Sequence, residues 1–162
     1  MREETNDIES ISWERIIELT KTLARDIESA NYTPDIIFAI VRGGWIPSRL
    51  LADYLDIEEL GSIFLTREKK YARSLNTPRD KRILIVDDIA DTGISLDAAL
   101  RFVNFNKPKE VKTATLYYKL TSTILPTWFA EETESWIIFP WEEYSWRRKQ
   151  GEKIVFGGEN LC

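Results

Sequence analysis

The stretch from Ile83 to Ser95 limits what this chain can fold into more than any other. It opens as Ile83-Leu84-Ile85-Val86, apolar at every position and mostly β-branched, and runs directly into Asp87-Asp88-Ile89-Ala90-Asp91-Thr92-Gly93-Ile94-Ser95. A run with no polar alternation suits a strand covered on both faces, as in a parallel sheet flanked by helices. In such sheets ligands gather beyond the carboxyl ends of the strands. A helix starting there offers unpaired N–H groups and a partial positive charge, both suited to a phosphate. Gly93 lets the backbone approach closely, and Thr92 and Ser95 add hydroxyl donors. These residues could form an anion cradle beside a pair of acids. The same residue types also make an ordinary strand–turn–helix with Ser95 as its N-cap, and taken alone they leave both readings open.

The rest of the chain repeats the alternation. Trp13, Ile16, Ile17, Thr20, Leu23, Ala24 and Ile27 fall at helical spacing, predicting a helix over 12–30 with Ser10 or Ser12 as its cap. Ile36 to Val41 predicts a buried strand, broken by Gly43-Gly44. A helix over 46–55 follows, with Pro47 in its first turn. Leu60 to Thr66, Ile83 to Asp87 and Val111 to Tyr118 predict three more strands, with a helix over 95–105 between the last two. The order predicts an α/β domain. Residues 67–82 are basic and aperiodic, which predicts a long functional or flexible loop. Residues 121–162 are rich in aromatics, and short strands and turns are expected there.

Composition removes several classes of chemistry. The 162 residues suit one domain. There is no histidine, which excludes imidazole bases, Ser-His-Asp triads and His–Cys zinc sites. Any acid–base group must be a carboxylate, Lys, Tyr or part of a ligand. The single cysteine, Cys162, allows no intrachain disulfide. A net charge of −5 with dispersed Lys and Arg argues against nucleic acid as a partner. No apolar run is long enough to span a bilayer, and the polar stretch 1–10 does not read as a signal peptide, so a cytoplasmic location is expected and no membrane partner.

An apolar strand, two acids, two further residues and then Asp-Thr-Gly-x-Ser resembles the phosphoribosyl pyrophosphate (PRPP) signature of type I phosphoribosyltransferases. Two further segments carry the resemblance. Phe38-Ala39-Ile40-Val41-Arg42-Gly43-Gly44-Trp45-Ile46-Pro47 is similar to the family's pyrophosphate loop. Ser135-Trp136-Ile137-Ile138-Phe139-Pro140-Trp141-Glu142 resembles the base-recognition segment of the 6-oxopurine branch, closest to the guanine–xanthine–hypoxanthine enzymes of bacteria and archaea.

The resemblance implies a fold, a reaction and a set of roles. The fold would be the type I phosphoribosyltransferase fold, a central parallel sheet flanked by helices with a small C-terminal hood. In a single domain, a core of about 12–120 would carry a hood of about 121–162 and a flexible loop of about 67–82. The reaction would transfer the 5-phosphoribosyl group from PRPP to N9 of guanine, hypoxanthine or xanthine in purine salvage, with Mg²⁺ as cofactor and a nucleoside monophosphate as product. Ala90, Asp91, Thr92, Gly93, Ile94 and Ser95 would cradle the 5′-phosphate; Arg42, Gly43 and Gly44 would take the pyrophosphate; Asp87 and Asp88 would hold ribose hydroxyls and the metal. Asp91 matches the general base that takes the purine N7 proton. Lys119 matches the lysine that contacts O6, Trp136 the ring that stacks on the base, Ile137 the backbone at the base edge, and Glu142 an acid near the 2-substituent. Lys69, Lys70, Tyr71 and Arg73 would reach in from the flexible loop. The peptide before Arg42 is expected to be cis, as in relatives, and a homodimer or larger homo-oligomer is implied. One departure stands out: a bacterial guanine–xanthine enzyme has a carboxylate where this chain has Ile138, and Ile cannot accept a hydrogen bond from a 2-amino group. A non-enzymatic PRPP-sensing regulator and an enzyme for adenine or a pyrimidine are the competing readings.

Overall fold

The computed structural model describes residues 7–65 and 72–154, with backbone alone at 72 and 73. Its core is a six-stranded sheet. In chain order the elements are β1 (Ile8–Ser10), α1 (Trp13–Ser29), β2 (Ile36–Ile40), α2 (Trp45–Tyr54), β3 (Leu60–Leu65), β4 (Ala72–Arg73), β5 (Arg82–Ala90), α3 (Ile94–Phe105), β6 (Glu110–Tyr118), β7 (Trp128–Glu132), β8 (Trp136–Ile138) and α4 (Glu143–Lys149). The sheet order is β4-β3-β2-β5-β6-β7. All neighbours are parallel except β3 and β4.

Local chemistry accounts for the main elements. Ser12 caps α1 by accepting from the Arg15 N–H, and Ile16, Leu19, Leu23, Ala24 and Ile27 form its buried stripe. Fully burying each larger side chain of that stripe is worth roughly 1.5–3 kcal/mol of transfer free energy. The continuous apolar runs are buried as expected: every residue of β2 is buried, and β5 is buried from Ile83 to Asp88. Alternate residues of β2 and β5 feed two cores. Ile37, Leu84 and Val86 join Leu19, Leu23 and Leu51 from α1 and α2; Ile36, Phe38, Ile83 and Ile85 join Leu96, Ala99 and Val103 from α3. The sheet is therefore sandwiched between α1 and α2 on one face and α3 on the other.

The connections turn in opposite directions at β2 and β5. From β2 the chain crosses through α2 to β3 on one side; from β5 it crosses through α3 to β6 on the other. The gap beyond the ends of β2 and β5 is thus a topological switch point, where open α/β sheets bind ligands.

The structure departs from the sequence expectations in four places. Within 67–82, β4 pairs with β3 through Phe64–Arg73 and Leu65–Ala72. Helix α3 begins at Ile94, with Gly93 and not Ser95 at its N-cap. The region 121–162 is divided, because β7 joins the main sheet beside β6 and only β8 and α4 lie apart from it. Finally, β8 pairs in parallel with β1, so residues from both ends of the described chain build the hood. Among the described residues no helix is long and apolar enough to cross a membrane.

Candidate active site

Two adjoining clefts open at the switch point. The larger, about 540 Å³, is lined by Val41, Arg42 and Gly43 after β2, by Asp87 to Gly93 and Ser95 around the end of β5, and by Leu65, Leu96, Thr115 and Glu142 among others. The smaller, about 130 Å³, is lined by Asp88, Ile89, Asp91, Lys119, Trp136, Ile137, Phe139 and Glu142. Asp88, Ile89, Asp91 and Glu142 border both, so the two spaces meet along a wall of carboxylates.

The turn after β2 lies against the end of β5. The Val41–Arg42 peptide is cis. A Cβ on Gly43 would sit 2.1 Å from Asp88 Oδ2, and one on Gly44 would sit 2.4 Å from the Val86 carbonyl oxygen. A larger residue at Gly43 would displace the Asp88 carboxylate, and one at Gly44 would press on the backbone of β2 and β5. Gly44 acts there, at the start of α2, and does not line the cleft; Gly43 does.

The acids at the end of β5 are fixed by their own backbone. Asp87 Oδ1 accepts from the Asp88 N–H at 3.0 Å, and Asp88 Oδ1 accepts from the Ile89 N–H at 2.8 Å. Burial pushes the Asp88 carboxyl up to about 6, with further help from the nearby charge of Glu142. A neighbouring cation would relieve that penalty. The donors offered are carboxylate oxygens, which suit a hard cation such as magnesium. Among the described residues no group of three or more His, Cys, Asp or Glu side chains is placed to hold a metal ion by itself. Asp87 and Asp88 therefore fit a magnesium ion whose remaining positions are filled by ligand and water oxygens.

The loop from Asp91 to Ser95 is held from outside. Thr121 Oγ1 donates to the Asp91 carbonyl at 3.0 Å, while the Thr123 N–H and Oγ1 both donate to the Thr92 carbonyl, at 3.1 and 3.2 Å. Gly93 adopts φ +82°, a left-handed conformation costly for other residues, with Thr123 and Ser122 packed against its Cα. These bonds pin the loop from behind, and its residues Asp91, Thr92, Gly93 and Ser95 line the larger cleft at the start of α3. Ile94 itself is half-exposed and its side chain does not line the cleft. The sequence reading did not include Thr121 to Thr123. They precede β7 in a segment without periodicity, and only the fold brings them under the loop.

Lys119 follows β6. Its backbone N–H donates to the Ala90 carbonyl at 3.0 Å, and its ammonium lies 3.5 Å from Asp91 Oδ1 and 5.7 Å from the centre of the Trp136 ring. Trp136 is backed by Trp146 of α4, at 6.2 Å between ring centres. Ile137 is buried and reaches the smaller cleft. Ile138 does not; it borders a different cavity, beside residues 10–14 at the start of α1. The departure noted at Ile138 therefore lies away from this cleft. Trp141 stacks on Phe139 at 4.8 Å and 9°, as a packing residue.

The structure thus brings together Arg42, Gly43, Asp87, Asp88, Ala90, Asp91, Thr92, Gly93 and Ser95 in one cleft, and Lys119, Trp136, Ile137 and Glu142 in the other. Lys69, Lys70 and Tyr71 lie outside the described residues, and of Arg73 the backbone alone is described, in β4.

Comparison with known proteins gives this arrangement a family. The phosphoribosyl transferase domain model matches residues 7–146. A xanthine-guanine phosphoribosyltransferase of Desulfotalea psychrophila is 31% identical over 144 residues, covering 83% of this chain and 86% of that protein. One from Nitratidesulfovibrio vulgaris is 32% identical over 143 residues, covering 82% and 83%. Among solved structures, the purine phosphoribosyltransferase from Pyrococcus horikoshii superposes with a TM-score of 0.75 at 30% identity, covering 94% of this chain and 99% of that one. With the domain match spanning nearly all of the described sheet and both clefts, the chain belongs to the phosphoribosyl transferase domain family.

Proposed function

We propose that the chain transfers the 5-phosphoribosyl group from PRPP to N9 of a 6-oxopurine, releasing pyrophosphate. The observation that carries this reading is the pair of clefts sharing Asp88, Asp91 and Glu142, with a phosphate-suited helix start in one and Lys119 beside Trp136 in the other. The relatives named above, xanthine-guanine and purine phosphoribosyltransferases, support the choice of substrates.

In this reading the loop from Ala90 to Ser95 holds the 5′-phosphate, and Arg42 and Gly43 hold the pyrophosphate. The N9 lone pair forms a bond to C1′ of the ribose as the bond from C1′ to the pyrophosphate oxygen breaks, and that oxygen keeps the electron pair. Positive charge grows on the sugar beside Asp87 and Asp88, which stabilise it. Asp91 takes the proton from N7, the histidine-free chain having a carboxylate at the boundary of both clefts for this purpose. Lys119 donates to O6 and so favours an oxo over an amino group, for which a donor has no acceptor to meet. Trp136 stacks on the ring. Glu142, not Ile138, faces the 2-substituent. Magnesium held by Asp87, Asp88 and the ligand's own oxygens would neutralise charge on the departing pyrophosphate. Lys69, Lys70, Tyr71 and Arg73 would close over the pyrophosphate.

The test is product formation from PRPP and Mg²⁺ with guanine, xanthine, hypoxanthine and adenine in parallel. Conversion of at least one oxopurine, with adenine inert, is expected. Consumption of no base would overturn the enzymatic reading, and preference for adenine would overturn the role of Lys119. The proposal includes a single domain working in the cytoplasm as a homodimer or larger assembly, whose mass sedimentation would measure.

A further inference from the structure

Two threonines sit two residues apart on the same face of β6, and only one has a use within the protein. Thr113 is tied to Thr127: its Oγ1 accepts from the Thr127 N–H at 2.8 Å, and its own N–H donates to Thr127 Oγ1 at 3.1 Å. Thr115 is fully buried, yet its Oγ1 has no hydrogen-bond partner among the described residues. It lines the larger cleft, and in the sheet it is the register partner of Asp87. Residues paired in this way on neighbouring strands project from the same face, with backbones about 4.8 Å apart. Buried hydroxyls are normally bonded, and one left unbonded is costly. Valine has nearly the same shape and would fill the position without that cost. The hydroxyl therefore calls for a partner, and its register neighbour Asp87 carries an acceptor on the same face.

We propose that Thr115 is a positioning residue for the phosphoribosyl donor: when the cleft is occupied, its hydroxyl donates to the Asp87 carboxylate and holds it in its ligand-bound orientation. This rests on the PRPP-binding reading of the cleft. An unbonded hydroxyl costs stability, and a bonded one adds a contact that ligand binding would gain. A threonine kept only for packing would show neither sign.

The experiment is titration calorimetry of wild type, Thr115→Val and Thr115→Ser with PRPP and Mg²⁺, alongside thermal melts without ligand and steady-state kinetics. Thr115→Val is expected to melt at or above the wild-type temperature without ligand. Its Kd for PRPP should rise about tenfold, equivalent to about 1.4 kcal/mol, with the KM for the purine unchanged. Thr115→Ser should recover wild-type affinity. A valine variant that binds PRPP as wild type does, or that loses affinity together with stability, or a serine variant that fails to rescue, would overturn the proposal. If wild type itself binds no PRPP, the reading of the cleft fails instead, and the two failures are told apart by that first titration.

Discussion

At the scale of single residues, the boundary between the two clefts concentrates the chemistry. Asp91→Asn keeps the shape of the side chain and removes its basicity. Turnover is expected to fall by about 10²- to 10⁴-fold, the usual worth of a general base, while calorimetry shows PRPP binding nearly unchanged; unaltered turnover would remove Asp91 from the mechanism. Gly43→Ala makes a different demand. Its Cβ has no room beside Asp88 Oδ2, so the carboxylate must move. Loss of PRPP affinity with a folded far-UV spectrum is the expected result. Asp88 also sets a pH dependence. Its carboxyl is raised from 3.8 to about 6, so the folded protein holds that proton more tightly than the unfolded chain. The associated stability is complete below pH 4 and is lost as pH climbs through about 6. Asp88→Asn, melted in EDTA, should therefore be more stable than wild type at pH 8, by on the order of 3 kcal/mol, with the gap closing toward pH 4. A gap that does not change with pH would refute this account.

At the scale of elements, legibility followed length and periodicity. Helix α1 and the continuous apolar runs of β2 and β5 declared themselves, because burial on one stripe or on two faces leaves a pattern in the residues. Strand β1 did not: its three residues, Ile8-Glu9-Ser10, are all exposed and matter only through backbone bonds to β8. Helix α4 was hidden likewise. It has seven residues and buries none, and its aromatic side chains resemble strand formers until Trp146 is seen behind Trp136. The site divides in the same way. Asp87 to Ser95 are contiguous and could be read in order, whereas Thr115 and Thr121 to Thr123 enter only through sheet register and loop docking. Strand β1 supplies a test at its own scale. The Ile11 N–H donates to the Ile138 carbonyl, and the Trp136 N–H to the Asp7 carbonyl. Deleting residues 1–10 should release β8 and raise the KM for the purine several-fold, leaving the KM for PRPP close to wild type. Equal changes in both would show that the hood does not act separately.

At the scale of the whole molecule, the sheet and the hood divide the work. The switch point between β2 and β5 gathers the phosphate-suited loops at one end of the sheet, and the α1, α2 and α3 layers pack against the strands that carry them. The fold class was legible because the strand–helix alternation is regular; the split of residues 121–162 between the main sheet and the hood was not, since β7 carries no signal of which neighbour it will choose. The parallel pairing of β1 with β8 also has a consequence in time. Residues 8–10 meet residues 136–138 across most of the chain's length, and contacts so distant in sequence form late because a long loop must close first. Of the described strands, the one made first must wait on a ribosome for the one made last. The strands carrying the sugar-phosphate half of the site pair at shorter separations, so the half suited to a base is expected to close last.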